Sequence, residues 1–125
     1  MPTHDKMSPN SDLIKRISSL ATSTLANALD DAGFHFNVIA AIHAVAPGFR
    51  FTGPAVTVME ESGDYGRFSS EEFKVGAMID AASAGDVIVV ESGGVAYSTW
   101  GGMASYAAKF KGIAGLVVNG GVRDL

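Results

Sequence analysis

The sequence predicts an α/β fold with parallel strands, and three observations support this prediction. Segments with helical spacing of apolar residues alternate with extended apolar runs along the chain. Residues 87–90, Val-Ile-Val-Val, form a continuous apolar run, which is typical of a strand covered on both faces. A strand, loop, helix, strand order indicates crossovers, which join parallel strands and are normally right-handed. With 125 residues, 47% hydrophobic and 18% charged, the chain can bury the core of one domain.

Two helices are predicted before the first strand. The first runs from a cap at Ser11 or Asp12 to Leu20. Its expected buried face consists of Leu13, Ile14 and Ile17. The second helix lies within residues 22–33, where Gly33 is the expected stop because glycine readily adopts the conformation that ends a helix.

A strand and a third helix are predicted next. Aromatic and β-branched residues favour a strand over residues 49–60, although Gly53-Pro54 suggests an edge position or a bulge. A polar, glycine-containing loop follows, and then a helix over residues 70–82. Two acidic residues in its first turn would complement the helix dipole: Glu71 and Glu72.

The final helix and strand follow a glycine-rich loop after residue 91. The helix is expected over residues 103–112, with Gly112 at its exit and the final strand from Gly115 onward. Its apolar positions are Met103, Tyr106, Ala107 and Phe110. Its last turn carries two lysines that we expect to be solvated, Lys109 and Lys111.

Composition excludes several classes of function. The net charge is −4 and the nine Lys and Arg residues are scattered, so direct binding to nucleic acid is not expected. Without cysteine there is no disulfide framework, thiolate metal site or cysteine nucleophile, which suits the cytoplasm. The polar residues 1–10 are expected to be a flexible leader before a domain over 11–125. Because no apolar run has the length of a membrane span, no membrane contact is expected either.

Candidate functional residues gather where the predicted parallel strands end. Residues 91–94 and 119–124 follow two strands, and a predicted helix starts at residues 100–104 between them. Glycines at a helix start let an anion approach backbone N–H groups, which the helix dipole favours. Arg123 could clamp the same substrate, and Asp124 could hold a divalent metal directly or through water. This pattern predicts a compact site for a small acidic molecule.

On residue types alone, simpler interpretations stay open and are favoured for each feature taken singly. Arg123-Asp124 is also the pattern of two solvated turn residues or a surface ion pair. The glycine pairs are also the pattern of turns or close backbone packing. Glu91 is interpreted as a strand-end carboxylate that points into water, and Tyr97 and Trp100 as packing residues. The histidines lack the spacing of metal ligands.

A resemblance to a known family covers roughly residues 20–125. Four segments carry it: TSTLANALDDAG, PGFRFTGPAVTV, AGDVIVVESGG and WGGMASYAAKFKGIAGLVVNGGVRDL. Their order and spacing resemble the RraA-like family, which contains the regulator of ribonuclease activity A and the 4-hydroxy-4-methyl-2-oxoglutarate aldolases. Gly102, twenty residues and then Arg123-Asp124 are similar to the family's signature of glycine or aspartate, twenty residues and Arg-Asp.

The resemblance implies a fold, an assembly and two functions. The fold would be a swivelling β/β/α sandwich, similar to phosphohistidine domains, in a cytoplasmic homotrimer or hexamer with its active site near a subunit interface. The activity would be that of a metal-dependent (class II) aldolase or oxaloacetate decarboxylase that cleaves small 2-oxo acids through a pyruvate enolate. The alternative is a non-catalytic regulator with a ribonuclease partner. Fold resemblance alone does not choose between them.

The resemblance also assigns roles to individual residues. Arg123 would contact the 2-oxo acid and stabilise the enolate oxygen, and Asp124 would bind Mg²⁺ or Mn²⁺. Backbone N–H groups would receive the substrate carboxylate at Gly101, Gly102, Met103 and Ala104. Aldolases of the family tend to carry Asp where this sequence has Gly102. Family members also continue for tens of residues after Arg-Asp, with an acidic pair, so we expect this sequence to lack the C-terminal part of the fold or to be an inactive fragment.

Overall fold

The computed structural model describes residues 11–72 and 74–124. The chain divides into two compact units between Ile39 and Ala40. The predicted leader over residues 1–10 lies outside the described residues. None of the helices in the described ranges is long and apolar enough to cross a membrane.

The described part of the first unit, residues 11–39, forms two helices, α1 over Ser11–Ser18 and α2 over Thr22–Asp31. Neither helix has a buried residue. The predicted buried face of α1 is therefore wrong: Leu13 is exposed, and Ile14 and Ile17 are half-buried. Spacing indicated the amphipathic pattern, but the depth of burial depends on what packs against the helix. The predicted stop at Gly33 is confirmed, since φ is +85° there and its N–H bonds to Asp30 O at 3.0 Å.

The second unit is built on a parallel sheet of three strands. Strands β1 (Ala55–Met59), β2 (Val87–Glu91) and β3 (Gly115–Asn119) lie in the order β1-β2-β3. Helix α3 (Val75–Ala81) follows β1, and helix α4 (Gly102–Lys111) connects β2 to β3. The α/β class and the parallel strands are thus confirmed. The strands end level, because Met59 pairs with Glu91 and Glu91 with Asn119.

The core lies between one face of the sheet and the two helices. Ile88 is fully buried and Val90 is 2% exposed, and both point to this face because alternate residues of a strand share a side. The helical side and the loop before α4 contribute Ile79, Ala82, Trp100, Ala104 and Ala108. On the opposite face Val87 is also buried and Val89 is half-buried. The continuous apolar run was therefore correctly interpreted as a strand covered on both faces.

The buried face of α4 differs from the prediction. Met103, Tyr106 and Phe110 are 91%, 76% and 88% exposed, and the predicted Ala107 is exposed as well. The buried residues of the helix are alanines, Ala104 and Ala108. Both sets have helical spacing, so periodicity alone does not determine which set is buried against the sheet. Alanine has the smaller side chain and lets the helix approach the sheet closely, which leaves the large residues outside.

Strand β1 and helix α3 are both shorter than predicted. The strand begins at Ala55 rather than residue 49, and Gly53 passes so close to Gly85 that an added Cβ would overlap the Gly85 carbonyl oxygen. The helix begins at Val75 rather than residue 70. Two reciprocal hydrogen bonds instead close a turn at residues 69–72: Ser69 N to Glu72 Oε2 (2.6 Å) and Glu72 N to Ser69 O (3.1 Å). Glu72 thus completes a turn before the helix and is not in its first turn.

Candidate functional site

The ends of β2 and β3 are joined by a pair of side chains, Glu91 and Asn119. Asn119 Nδ2 donates to both carboxylate oxygens of Glu91, at 2.8 and 3.0 Å, and the N–H of Gly93 donates to Oε1 at 2.6 Å. These hydrogen bonds lower the pKa of the Glu91 carboxyl below its usual value, and those from Asn119 have the largest effect. Glu91 is exposed, as predicted, but its carboxylate is held by protein donors.

The loop after β2 runs beside the continuation of β3. Ser92 Oγ and the N–H of Gly94 both donate to the carbonyl oxygen of Asn119, at 2.7 and 3.1 Å. Two residues after Asn119, the N–H of Gly121 donates to Val95 O at 3.0 Å. The loop therefore approaches the α4 start in contact with the segment that carries Arg123.

The glycine pair at residues 120–121 allows this close approach. An added Cβ at Gly120 would overlap Ser92 Oγ, and one at Gly121 would lie 2.6 Å from Ala96 O. Real Cβ contacts are not this short, so a side chain at either position would push the loop and the β3 continuation apart. The pair is therefore required for close packing, which was one of the open interpretations.

Trp100 connects the core to the site. Its side chain is 5% exposed, and its indole Nε1 donates to Ser105 Oγ at 2.9 Å. Its carbonyl oxygen accepts hydrogen bonds from the Arg123 N–H at 3.1 Å and from Ser98 Oγ at 2.7 Å. The packing role predicted for Trp100 is confirmed, whereas that predicted for Tyr97 is wrong, since Tyr97 is 72% exposed.

Asp124 lies against the N-terminus of α4. The N–H of Gly102 donates to Asp124 Oδ2 at 3.0 Å. Asp124 has a φ of +61°, a left-handed backbone that is uncommon for a residue with a side chain. An added Cβ at Gly101 would lie 2.8 Å from Asp124 Oδ2 and 2.9 Å from Arg123 Nε. The structure thus brings together the start of α4 and the Arg-Asp dipeptide, two of the predicted site segments.

The charged side chains of this site are open to solvent. Arg123 Nε lies 4.0 Å from Asp124 Oδ2, and the two side chains are 72% and 62% exposed. As an ion pair in water this contact would contribute little to stability. Of the other predicted site residues, Met103 is exposed and Ala104 is buried against the core. Met103 and Ala104 are in the first turn of α4, where backbone N–H groups have no partner within the helix.

Asp124 is the carboxylate that lies at the start of α4 and could bind a metal ion there. Within residues 11–72 and 74–124, no three His, Asp or Glu side chains form a group that could hold a metal ion. A single exposed carboxylate, Asp124, nevertheless fits Mg²⁺, which keeps several waters and is commonly bound by one or two carboxylates plus substrate. The donor is of the right chemical type, and water and substrate would have to complete the shell.

Sequence reasoning missed the side chains that fasten the loop over residues 92–101. Glu91 was interpreted as a strand-end carboxylate that points into water, and Asn119 was included in the candidate segment 119–124 without a role of its own. A further contact lies at the end of β1, where Thr99 Oγ1 donates to Glu60 Oε1. Glu91 and Asn119 are the last residues of neighbouring parallel strands, so pairing the predicted strands end to end would have placed them side by side.

A family model described as Aldolase/RraA matches residues 22–125. The chain belongs to the RraA-like family. As an RraA-like chain it is 32% identical over 115 residues to a Halalkalibacterium halodurans protein named "Putative 4-hydroxy-4-methyl-2-oxoglutarate aldolase". The match covers 91% of this chain and 50% of that protein.

Two solved structures resemble this RraA-like chain. Streptomyces coelicolor RraAS2, described as an unusual member of the RNase ES inhibitor RraA protein family, has a TM-score of 0.80 at 28% identity. It is matched over 93% of this chain and 57% of its own. An uncharacterized protein from Pseudomonas syringae pv. tomato gives a TM-score of 0.74 at 27% identity, over 94% of this chain and 52% of its own. The chain thus spans about half the length of these relatives.

Proposed function

We propose that this chain carries the central part of the active site of a divalent-metal-dependent lyase. Its substrates would be small 2-oxo acids, with cleavage of a C–C bond and formation of a pyruvate enolate. 4-Hydroxy-4-methyl-2-oxoglutarate and oxaloacetate both fit this chemistry, since aldol cleavage of one and decarboxylation of the other give the same enolate. The observation that carries the proposal is the contact of Arg123-Asp124 with Gly101-Gly102 at the start of α4.

The start of α4 would receive the substrate carboxylate. Helix N-termini favour anions because their N–H groups lack helical partners and the dipole is positive there. The N–H of Gly102 already donates to Asp124, so we assign the carboxylate chiefly to the N–H groups of Met103 and Ala104. Gly101 and Gly102 lack side chains, which leaves the approach to these groups open.

Arg123 would stabilise the charge that develops on the substrate oxygen. When the C–C bond breaks, its electron pair moves toward the carbonyl carbon and negative charge accumulates on the 2-oxo oxygen. A guanidinium donates charge-assisted hydrogen bonds to such an oxygen, and donors aimed at developing charge are a large source of catalysis. The Arg123 backbone is held by Trp100 O, while its exposed side chain can reach a ligand above α4.

Asp124 would hold Mg²⁺ or Mn²⁺ in this proposal. A bound divalent ion supplies Lewis-acid chemistry, which polarises the oxo group of the substrate. The hydrogen bond from Gly102 to one carboxylate oxygen orients the Asp124 side chain. The left-handed backbone of Asp124 accompanies this position of the carboxylate close to α4. Such uncommon backbone conformations cluster at functional sites.

The proposal includes a cytoplasmic homotrimer or hexamer. Arg123 and Asp124 are exposed here, and enzymes that stabilise charge generally exclude water from it. A neighbouring subunit could enclose the site. Because the chain spans about half the length of its relatives, the assembly and the activity are proposed for the protein in its natural length.

A coupled assay of pyruvate release tests this function. Wild-type protein in its natural length, with Mg²⁺, should release pyruvate from oxaloacetate faster than Mg²⁺ alone. Arg123→Ala should lose activity by about a hundredfold or more, in the range found when a charge-stabilising donor is removed. Arg67→Ala is the matched control, because it removes another exposed arginine, one that lies over the Phe68 ring. Full activity in Arg123→Ala, or a wild-type rate equal to that of the metal alone, would overturn the proposal.

A second candidate function is regulation of a ribonuclease through protein binding. Two observations favour it: the structurally similar RraAS2 is described as a member of an RNase inhibitor family, and this chain has a net charge of −4. We would incubate the purified protein with a purified endoribonuclease complex and measure binding by co-sedimentation. Complex formation that weakens with added salt would support the candidate, and no binding at low salt would reject it.

A further inference from the structure

We infer that Glu91 and Asn119 form a positioning pair that sets where Arg123 and Asp124 lie relative to α4. The inference rests on the proposed function for what those two residues do. The geometry that it predicts, however, can be measured without any activity. Neither member of the pair is assigned to contact substrate or metal.

The pair is built from charge-assisted hydrogen bonds. Asn119 Nδ2 donates to both oxygens of Glu91, and the Gly93 N–H adds a third hydrogen bond. Bonds to an ionised acceptor are shorter and stronger than those between neutral groups. Because Glu91 and Asn119 are the paired last residues of β2 and β3, these bonds fasten the two strands at the point where both chains leave the sheet.

The segment that follows Asn119 leads directly to the Arg-Asp dipeptide. The carbonyl oxygen of Asn119 accepts hydrogen bonds from Ser92 and Gly94, so the loop after β2 holds the backbone at residue 119. Only three residues separate it from Arg123, whose N–H is bonded to Trp100 O. A shift at Asn119 therefore moves this short segment along the loop and changes the contacts of Asp124 with Gly102.

A positioning role is favoured over a purely stabilising one because both side chains are exposed. Exposed charged contacts contribute little to the free energy of unfolding. The same contacts can have a much larger effect on the reaction rate, because a displacement of about 1 Å at a reacting group can lower a rate by about a hundredfold. The expected signature is thus lost turnover with little loss of stability.

An exchange of the two functional groups tests the inference. Asn119→Asp places two carboxylates opposite each other and should break the pair. Glu91→Gln in the same chain restores one amide facing one carboxylate in the reverse order, and the oxygen of the new amide can still accept from Gly93. We therefore expect Asn119→Asp to lower kcat by about 10- to 100-fold with a smaller change in KM, and the double variant to recover most of it.

Backbone amide NMR supplies a readout that does not depend on activity. In Asn119→Asp the amide signals of Gly102 and Arg123 should move, because their partners are Asp124 and Trp100, and in the double variant they should return. If the changes in Asn119→Asp stay at Gly93 and Gly94, or if the double variant is no closer to wild type than the single one, the inference is wrong. Glu91→Gln alone is the milder variant if Asn119→Asp fails to fold, and it should shift the same two amides.

The two proposals fail separately in this design. Absence of lyase activity in the wild-type protein would reject the proposed function. The amide signals of Gly102 and Arg123 would still decide whether Glu91 and Asn119 position the dipeptide.

Discussion

The backbone N–H of Gly102 donates a hydrogen bond to Oδ2 of Asp124 at 3.0 Å, joining residues 22 positions apart in the sequence. One is the first residue of α4 and the other lies just beyond the end of β3. The two ends of the family signature are thus in direct contact. Substitutions at Gly101 and Gly102 should therefore displace the side chains of Arg123 and Asp124 with little effect on the stability of the fold.

Gly101→Ala should reduce activity without unfolding the protein. Gly101 has an extended backbone, φ −143°, that alanine adopts without strain. The new methyl group would lie within 3.0 Å of Arg123 Nε and Asp124 Oδ2, whose side chains are flexible and would move away. We expect a loss of about 10- to 100-fold in kcat/KM for oxaloacetate and a small change in thermal unfolding.

Gly102→Ala is the comparison for that variant. Its Cβ would lie 3.6 Å from the nearest Asp124 atoms, which is ordinary van der Waals contact. Its loss of activity should be several-fold smaller than that of Gly101→Ala. Equal losses in both variants would show that displacement of the Arg-Asp side chains is not the cause.

Gly102→Asp should strengthen metal binding. The substitution would place a second carboxylate beside Asp124, and the affinity of an oxygen site for a divalent cation rises with the number of charged ligands. We expect Mn²⁺ to bind about tenfold more tightly, measured by the loss of the free Mn²⁺ signal in electron paramagnetic resonance. Gly102→Asn controls for shape without charge. If both variants bind Mn²⁺ like the wild type, Asp124 is not a metal ligand.

Acid should remove the stabilising contribution of Glu91. Hydrogen bonds from Asn119 and Gly93 lower the pKa of Glu91 in the folded state from its ordinary value of 4.5. A group with a lowered folded pKa stabilises the protein above its unfolded pKa, and that contribution is lost as pH falls through the folded pKa. The difference in urea stability between wild type and Glu91→Gln should thus be small but present at about pH 7, and it should decrease as the pH falls below 4.5. A difference that is unchanged at acid pH would contradict this assignment.

Two other glycines should respond to alanine in opposite directions. At Gly121 a Cβ would lie 2.6 Å from the backbone oxygen of Ala96, so we expect the free energy of unfolding to fall by about 1–3 kcal/mol. At Gly76, in the first turn of α3, no described atom outside the neighbouring residues and the helix backbone lies within 4 Å of the added Cβ, and alanine has the higher helix propensity. That variant should gain about 0.5–1 kcal/mol. Urea unfolding measures both, and destabilisation by Gly76→Ala would show that an unseen contact occupies that space.

The sequence predicted those parts of the fold that depend on local pattern. The apolar run of β2 and the glycine stops at Gly33 and Gly112 were assigned correctly, since each is determined by a few neighbouring residues. The buried face of α4 was predicted wrongly, because two sets of residues on the helix have helical spacing. The alanines are the buried set, since their small side chains let the helix lie close to the sheet. The start of α3 was missed because the Glu72 side chain closes a turn with Ser69 instead of stabilising a first helical turn.

The candidate site divides in the same way. Arg123, Asp124 and the glycines were found from a motif, and the structure brings them into contact. The Glu91–Asn119 pair was missed because each strand was interpreted by itself; it becomes visible when the ends of the predicted strands β2 and β3 are aligned with each other. Trp100 was correctly placed in the core, but its carbonyl bond to Arg123 depends on backbone geometry at the end of a loop.

Exchange of the methyl protons of pyruvate with D₂O tests the central claim most directly. An enolate forms when a methyl proton leaves, and deuterium enters the methyl group when the enolate collapses, so exchange needs no C–C cleavage. With Mg²⁺, the protein in its natural length should accelerate the loss of the methyl proton NMR signal, and Arg123→Ala should abolish the acceleration while Arg67→Ala does not. Exchange no faster than with Mg²⁺ alone, or equally fast in Arg123→Ala, would contradict the account.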